Sequence, residues 1–274
     1  MTDGIDTKFI GHGGVLLGGD IERCWESTGW GTEFDAIISL GGNCSVAHNL
    51  RIRDLRNASY PFDWLLMDDS MPIDYLVKGF DNEFADFCLK ENLVELVGDE
   101  RGMEKPGRLQ FRDKVSGWKL IHHFNVTSDF NAEFCRVHAT LRRRISRMLA
   151  NFASGGRYLL VLAPTFSVDK GCVDELRLVL RRKYPRSSFF LLVMSFCERE
   201  SGVEISENVL YSRIARPQNI YDFSKTGIEW SFLDRLSLKV GCMTKRVHKL
   251  RLWKHRGIRY VLRWYVEKKM KGKT

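Results

Sequence analysis

Three uninterrupted apolar runs, "DAIISL" (35–40), "RYLLVLAP" (157–164) and "SSFFLLVMSF" (187–196), constrain this chain more than any other feature of its sequence. Each has the length of a strand and none alternates polar with apolar residues. Strands of that kind occur where helices cover both faces of a parallel sheet. The intervening segments supply such helices. From Asn131 to Phe152, the residues Phe134, Val137, Leu141, Ile145, Met148 and Phe152 recur every three or four positions, which predicts a long amphipathic helix with Arg136, Arg142, Arg143 and Arg147 off its stripe. "VDELRLVLRRKYP" (173–185) predicts a helix stopped by Pro185, and "MPIDYLVKGF" (71–80) one capped by Ser70 with Pro72 in its first turn. "RLQFRD" (108–113) and "WKLIHHFN" (118–125) predict two strands joined by a turn at Ser116-Gly117, and "NVLYSRIA" (208–215) a further strand. The expected fold class is α/β, with a mostly parallel central sheet flanked by helices.

A length of 274 residues with 44% hydrophobic content suffices for one large domain or a domain with an appendage. Residues 1–30, with "GHGGVLLGGD" and little periodicity, read as an irregular lead-in, so the α/β domain is placed at 31–243. Residues 244–274 hold twelve Lys/Arg against one acid, Glu267, so the net charge of +9 is concentrated there and residues 1–243 are nearly neutral. In this tail Val247, Leu250, Trp253, Val261 and Trp264 fall at helical spacing, interrupted by Gly257, so a basic amphipathic helix is expected. Such a helix can lie on an anionic membrane surface. The near-neutral main domain argues against nucleic acid as a partner. No signal-peptide pattern and no run of roughly 18 apolar residues is present, so the expected location is cytoplasmic, with the tail as a peripheral attachment to the inner membrane face. Seven scattered cysteines, without a CxxC pair or a His/Cys cluster at zinc spacing, predict neither a disulfide framework nor a metal site. Oligomeric state leaves no mark in the pattern.

The chemistry concentrates at "SLGGNCSVAHNLR" (39–51), where a buried strand meets two glycines and then a helix bearing Val46, Ala47 and Leu50 at helical spacing. Sites in open α/β sheets gather at the carboxyl ends of strands. A thiol in the first turn of a helix feels the positive end of the helix dipole, which favours the thiolate. Cys44 is therefore the candidate nucleophile. Gly42, Asn43 and Ser45 are the candidate oxyanion or substrate-binding residues, with the Asn43 amide expected as a donor beside the thiol. The competing reading is a packed cysteine without chemistry. A nucleophilic cysteine needs a base. His48 is near in sequence, but such a neighbour often faces solvent. His138 is mid-helix, His12 sits in the lead-in, and His248 and His255 lie in the tail. His122 and His123 end a predicted strand, where alternation sends one ring to each face.

"SLGGNCSVAHNLRIRDLRNASYPFDW" (39–64), followed by "IHHF" (121–124), resembles a bacterial family of papain-like cysteine peptidases of unknown function, over roughly residues 35–125. The resemblance implies Cys44 as nucleophile and a histidine of the 122/123 pair as base. It favours His122, because the family pattern is histidine, one residue, then Phe, and Phe124 fits. For the third member it leaves Asn125, Asp129 and Asp169 open. Asp63 of "PFDW" is a further catalytic candidate, a carboxylate in aromatic surroundings, whose competing role is a loop cap. "GGNC" also looks like the nucleophile turn of SGNH-type hydrolases with Cys for Ser, although no D-x-x-H follows near the C-terminus. It is similar as well to the start of a capsule-polysaccharide enzyme family linked to coenzyme A and acetyl transfer. The expected activity is acyl transfer through a Cys/His pair, on a peptide, acyl or saccharide substrate and without a cofactor. The alternatives are a coenzyme A-dependent acetyltransferase of surface-polysaccharide synthesis and a non-catalytic module that binds membranes or polyanions.

Overall fold

All three apolar runs form strands of one sheet. The computed structural model describes residues 9–11, 18–67, 70–98, 107–126, 129–197, 202–215 and 230–239. The expected basic tail at 244–274, His12, His248 and His255 lie outside the described residues. In chain order the described elements are β1 (Phe9–Gly11), α1 (Gly18–Thr28), β2 (Glu33–Phe34), β3 (Ala36–Gly41), α2 (Cys44–Ile52), α3 (Met71–Asn82), β4 (Leu93–Glu95), β5 (Arg108–Asp113), β6 (Lys119–Asn125), α4 (Phe130–Ser154), β7 (Gly156–Leu162), α5 (Lys170–Lys183), β8 (Ser187–Cys197), β9 (Gly202–Ser206) and β10 (Val209–Ala215).

The main sheet has the order β1-β9-β10-β8-β7-β3. Strands β3, β7, β8 and β10 run parallel, and the hairpin β9–β10 and the short β1 add antiparallel strands at the far edge. The fold class is therefore α/β with a mostly parallel central sheet. β3 is the edge strand on the other side, so its carboxyl end is open to elements outside the sheet. A second, antiparallel sheet, β4-β5-β6, is built from the chain between α3 and α4.

Alternation along the buried strands divides the core. Ile38 and Leu40 of β3 join Leu160, Leu162, Leu191 and Val193 in one cluster with Leu76 and Phe80 of α3, Leu141, Ile145, Met148 and Phe152 of α4 and Leu176 and Leu180 of α5. Five of the six residues in the α4 stripe are buried, and truncation of any one of them to Ala is expected to cost about 2–5 kcal/mol. Phe134 is the exception, partly buried and stacked on His138 with ring centroids 5.4 Å apart. A separate aromatic group of Trp25, Trp30, Phe34 and Phe190 packs in edge-to-face and tilted pairs around the start of β3. Trp25 belongs to α1, so the irregular lead-in expected over 1–30 is corrected across Gly18–Thr28, where Ile21, Cys24 and Trp25 form a buried helical face. At α3, Ser70 holds the cap position without a side-chain cap bond, and Pro72 lies in the first turn as expected. No described helix is long and apolar enough to cross a membrane.

Candidate active site

Cys44 is the first residue of α2 and follows immediately on the β3 corner. Asn43 caps the helix, with extended backbone and a side-chain oxygen that accepts from the Ser45 N–H at 2.8 Å. Its amide donates to the Ala163 carbonyl at 2.8 Å, and the Ser45 hydroxyl donates to the same Asn43 oxygen. Both ends of the Asn43 side chain are thereby committed to holding the helix start against the end of β7. The Asn43 amide, expected as a donor beside the thiol, gives one of its two N–H groups to Ala163. Ser45 is buried and likewise turned to Asn43. Gly42 is required by backbone packing: at φ +107° a Cβ there would lie 2.1 Å from the Ala163 carbonyl oxygen. At Gly41 (φ +94°) a Cβ would meet the Trp118 ring at 2.3 Å. The glycines thus admit the neighbouring strand end and an indole.

His122 is brought to this corner from 78 positions away, with its Nε2 3.1 Å from the Cys44 Sγ. The segment 60–67 makes the connection. Its Met67 N–H donates to the Gly42 carbonyl at 2.9 Å, and Leu66 exchanges two 3.1 Å backbone bonds with Lys119 at the start of β6. Phe62 stacks on Trp118 with ring centroids 5.4 Å apart, beneath the glycines. Trp64 meets the His122 ring edge-on at 6.1 Å, and Arg51 and Arg56 lie over the indole at 5.7 and 5.8 Å. "PFDW" is therefore the block that ties the thiol corner to the histidine strand.

Asp63 acts within that block. It is buried, accepts from the Tyr60 N–H at 2.7 Å and pairs with Arg56 through the same oxygen, while its other oxygen has no partner. Burial pushes its carboxyl up, and the Arg56 charge and the Tyr60 N–H oppose that shift. No hydrogen bond joins Asp63 to His122 among the described residues, so its contacts are those of a loop anchor. The other third-member candidates are also placed. Asn125 donates to Glu133, Asp129 caps α4 and Asp169 caps α5. His48 is exposed, with Arg51 its neighbour.

Alternation predicts that His122 and His123 face opposite ways, yet both border one cavity of about 300 Å³. The pairing register explains it. Phe111 opposes Leu120 but Leu109 opposes Phe124, so β6 carries extra residues between those points, and the two histidines sit in the bulge. His123 is pushed down to about 3, first by burial and then by Arg144, His122, Arg136 and Arg108. Its Nδ1 is buried without a partner. Trp64, Arg108, Arg136 and Arg144 complete the chemically distinctive part of the wall. Sequence reasoning missed these arginines, because Arg136 was counted only as off the apolar stripe and Arg144 was not singled out. The signal for Arg136 and Arg144 was the spacing 136-140-144, one turn apart along a single helix face, whereas Arg108 on β5 gave none. Among the described residues no cluster of His, Cys, Asp and Glu could hold a metal ion.

The sequence profile of a family described as "Putative papain-like cysteine peptidase (DUF1796)" matches residues 35–186, which contain every element of this site. A curated relative, "Uncharacterized protein R408" of Acanthamoeba polyphaga mimivirus, is 28% identical over 136 residues, covering 46% of this chain and 60% of that protein. That relative is viral, so it lends no support to the bacterial origin that accompanied the motif resemblance. No solved structure matches.

Proposed function

The chain belongs to the DUF1796 family, and on that footing we propose that it is a cysteine hydrolase in which Cys44 is the nucleophile and His122 the general base and acid. The observation that carries the reading is the 3.1 Å contact between Cys44 Sγ and His122 Nε2 at the first residue of a capped helix. A thiol there is favoured as thiolate by the helix dipole and by an imidazolium at hydrogen-bond distance. Trp64 is the positioning residue that holds the imidazole edge, anchored in turn by Arg56 and Asp63.

In the proposed cycle the Cys44 thiolate attacks the carbonyl carbon of an acyl substrate and forms an S–C bond. The tetrahedral adduct collapses, the bond to the leaving amine or alkoxide breaks, and the His122 imidazolium gives that group its proton. His122, now neutral, accepts a proton from water as the water oxygen attacks the thioester. The acid departs, and thiolate and imidazolium are restored. General acid–base catalysis by one such histidine is worth about 10²–10⁴-fold.

The test is alkylation by iodoacetamide at pH 6–7, mapped by mass spectrometry. Cys44 is expected to react ahead of the exposed Cys135, and ahead of Cys172, whose thiol is pushed up to about 11 by burial and the Asp74 carboxylate. His122→Asn should slow Cys44 labelling by at least tenfold, and Cys44→Ala should abolish turnover of activated acyl esters. Equal labelling of Cys44 and Cys135, or no effect of His122→Asn, overturns the proposal.

A further inference from the structure

The cavity behind His122 is cationic and has unmet bonding capacity. Among the described residues its wall holds three arginines and two histidines and no carboxylate. Arg136 is neutralised by Glu133, with Nε 2.7 Å from Oε2, and also donates to the His123 carbonyl at 2.9 Å. Arg108 and Arg144 are half-buried, and among the described residues no hydrogen bond or ion pair closes on either guanidinium. Arg144 is disfavoured as a cation by burial and by Arg56, Arg147 and Arg143, with Asp63 the charge that supports it. Two guanidinium forks that share a half-enclosed space repel one another, and an oxyanion between them would satisfy both. The unpartnered Nδ1 of His123 stands at the same wall.

We propose that this cavity is the subsite for an anionic group of the substrate, a carboxylate or phosphate held by Arg108 and Arg144 and flanked by His123. The proposal rests on the reading of Cys44 and His122 as the reacting pair, because His122 borders both the thiol and the cavity. The protein would then act on acyl compounds that carry an anion beside the scissile carbonyl, in preference to neutral ones. Arg108 comes from β5 and Arg144 from α4, so the subsite exists only where the small sheet meets the helix.

Two measurements on the full chain test it. In the first, Cys44 is alkylated with iodoacetate and with iodoacetamide, reagents that differ in charge, and the rate ratio is compared with that of Cys44 in the urea-unfolded chain. The folded ratio should exceed the unfolded one by about three- to tenfold, the range of a screened attraction to two nearby cations. Arg144→Gln and Arg108→Gln should each lower it, with folding verified by circular dichroism. In the second, inorganic phosphate or acetate is added and the thermal midpoint recorded. An upward shift that either arginine variant loses supports the subsite, and the anion that produces it tells phosphate from carboxylate. Equal ratios in folded and unfolded chain, together with no shift by either anion, overturn the proposal while leaving the nucleophile reading intact. A Cys44 inert to both reagents beside a retained anion shift overturns the nucleophile reading and upholds the anion site.

Discussion

Replacing Gly42 with alanine isolates the physical demand made at the corner beneath the thiol. The backbone φ of +107° lies where side chains are rarely found, at a cost of about 1–3 kcal/mol. The new methyl would also stand 2.1 Å from the Ala163 oxygen, 2.2 Å from its carbonyl carbon and 2.5 Å from the Pro164 nitrogen. These are backbone atoms at the end of β7 and cannot swing aside, so relief requires moving the strand end and breaking the Asn43–Ala163 bond, another 1–3 kcal/mol or so. A total near 4 kcal/mol is a large share of the roughly 5–15 kcal/mol that stabilises a typical domain. Gly29→Ala is the control, since Gly29 has φ +68° but nothing within 4 Å, leaving only a left-handed penalty of about 1–2 kcal/mol. Urea unfolding followed by fluorescence gives both values from the shift in midpoint at constant slope. A Gly42→Ala loss within about 1 kcal/mol of the Gly29→Ala loss would refute the close-approach argument.

Other outcomes follow from the same contacts. Asp63→Asn should destabilise the chain by about 3 kcal/mol, because the half-buried Arg56 loses its anionic partner, and urea unfolding measures the loss. Trp64→Ala should slow Cys44 alkylation about tenfold and flatten its pH profile, whereas Trp64→Phe should recover part of the rate, since the ring edge against His122 is what the indole supplies. His123, at about 3 in the fold against an ordinary 6.5, is bound neutral, so its contribution to stability is intact above pH 6.5 and is lost as the pH falls toward 3. Between pH 7 and pH 5 that loss is up to about 2 kcal/mol, and His123→Phe should remove this part of the pH dependence in thermal melts. Glu133, held down at about 2 by Arg136 and the Asn125 N–H, works in the same direction, its contribution fading as the pH falls below 4.5; Glu133→Gln should therefore reduce acid sensitivity below that point.

The strands and helices that carry the site were legible because each declares itself over a short window. β3, β7 and β8 are continuous apolar runs, and α4 and α5 carry apolar stripes with recognisable stops. The Gly-Gly-Asn-Cys corner was legible for the same reason, since a strand end, a turn and a helix start are neighbours in sequence. α1 was missed although Ile21, Cys24 and Trp25 keep helical spacing, because its start and its surroundings are rich in glycine. The bulge at His122 and His123 is invisible to a period-two reading, since the register shift is defined only against β5.

By itself the sequence determined the fold class, the thiol at a helix start and the small set of histidines able to serve it, because propensity and periodicity act between near neighbours. Tertiary structure brought His122, the member of the pair that the motif favoured, to the sulfur, and it alone decided that Asn43 and the glycines pack against Ala163 and Trp118, that Asp63 anchors Arg56, and that Arg108 and Arg144 share one cavity. Those pairings join residues tens of positions apart. They depend on where the 60–67 segment stitches the small sheet to the edge strand, and no local pattern encodes that distance.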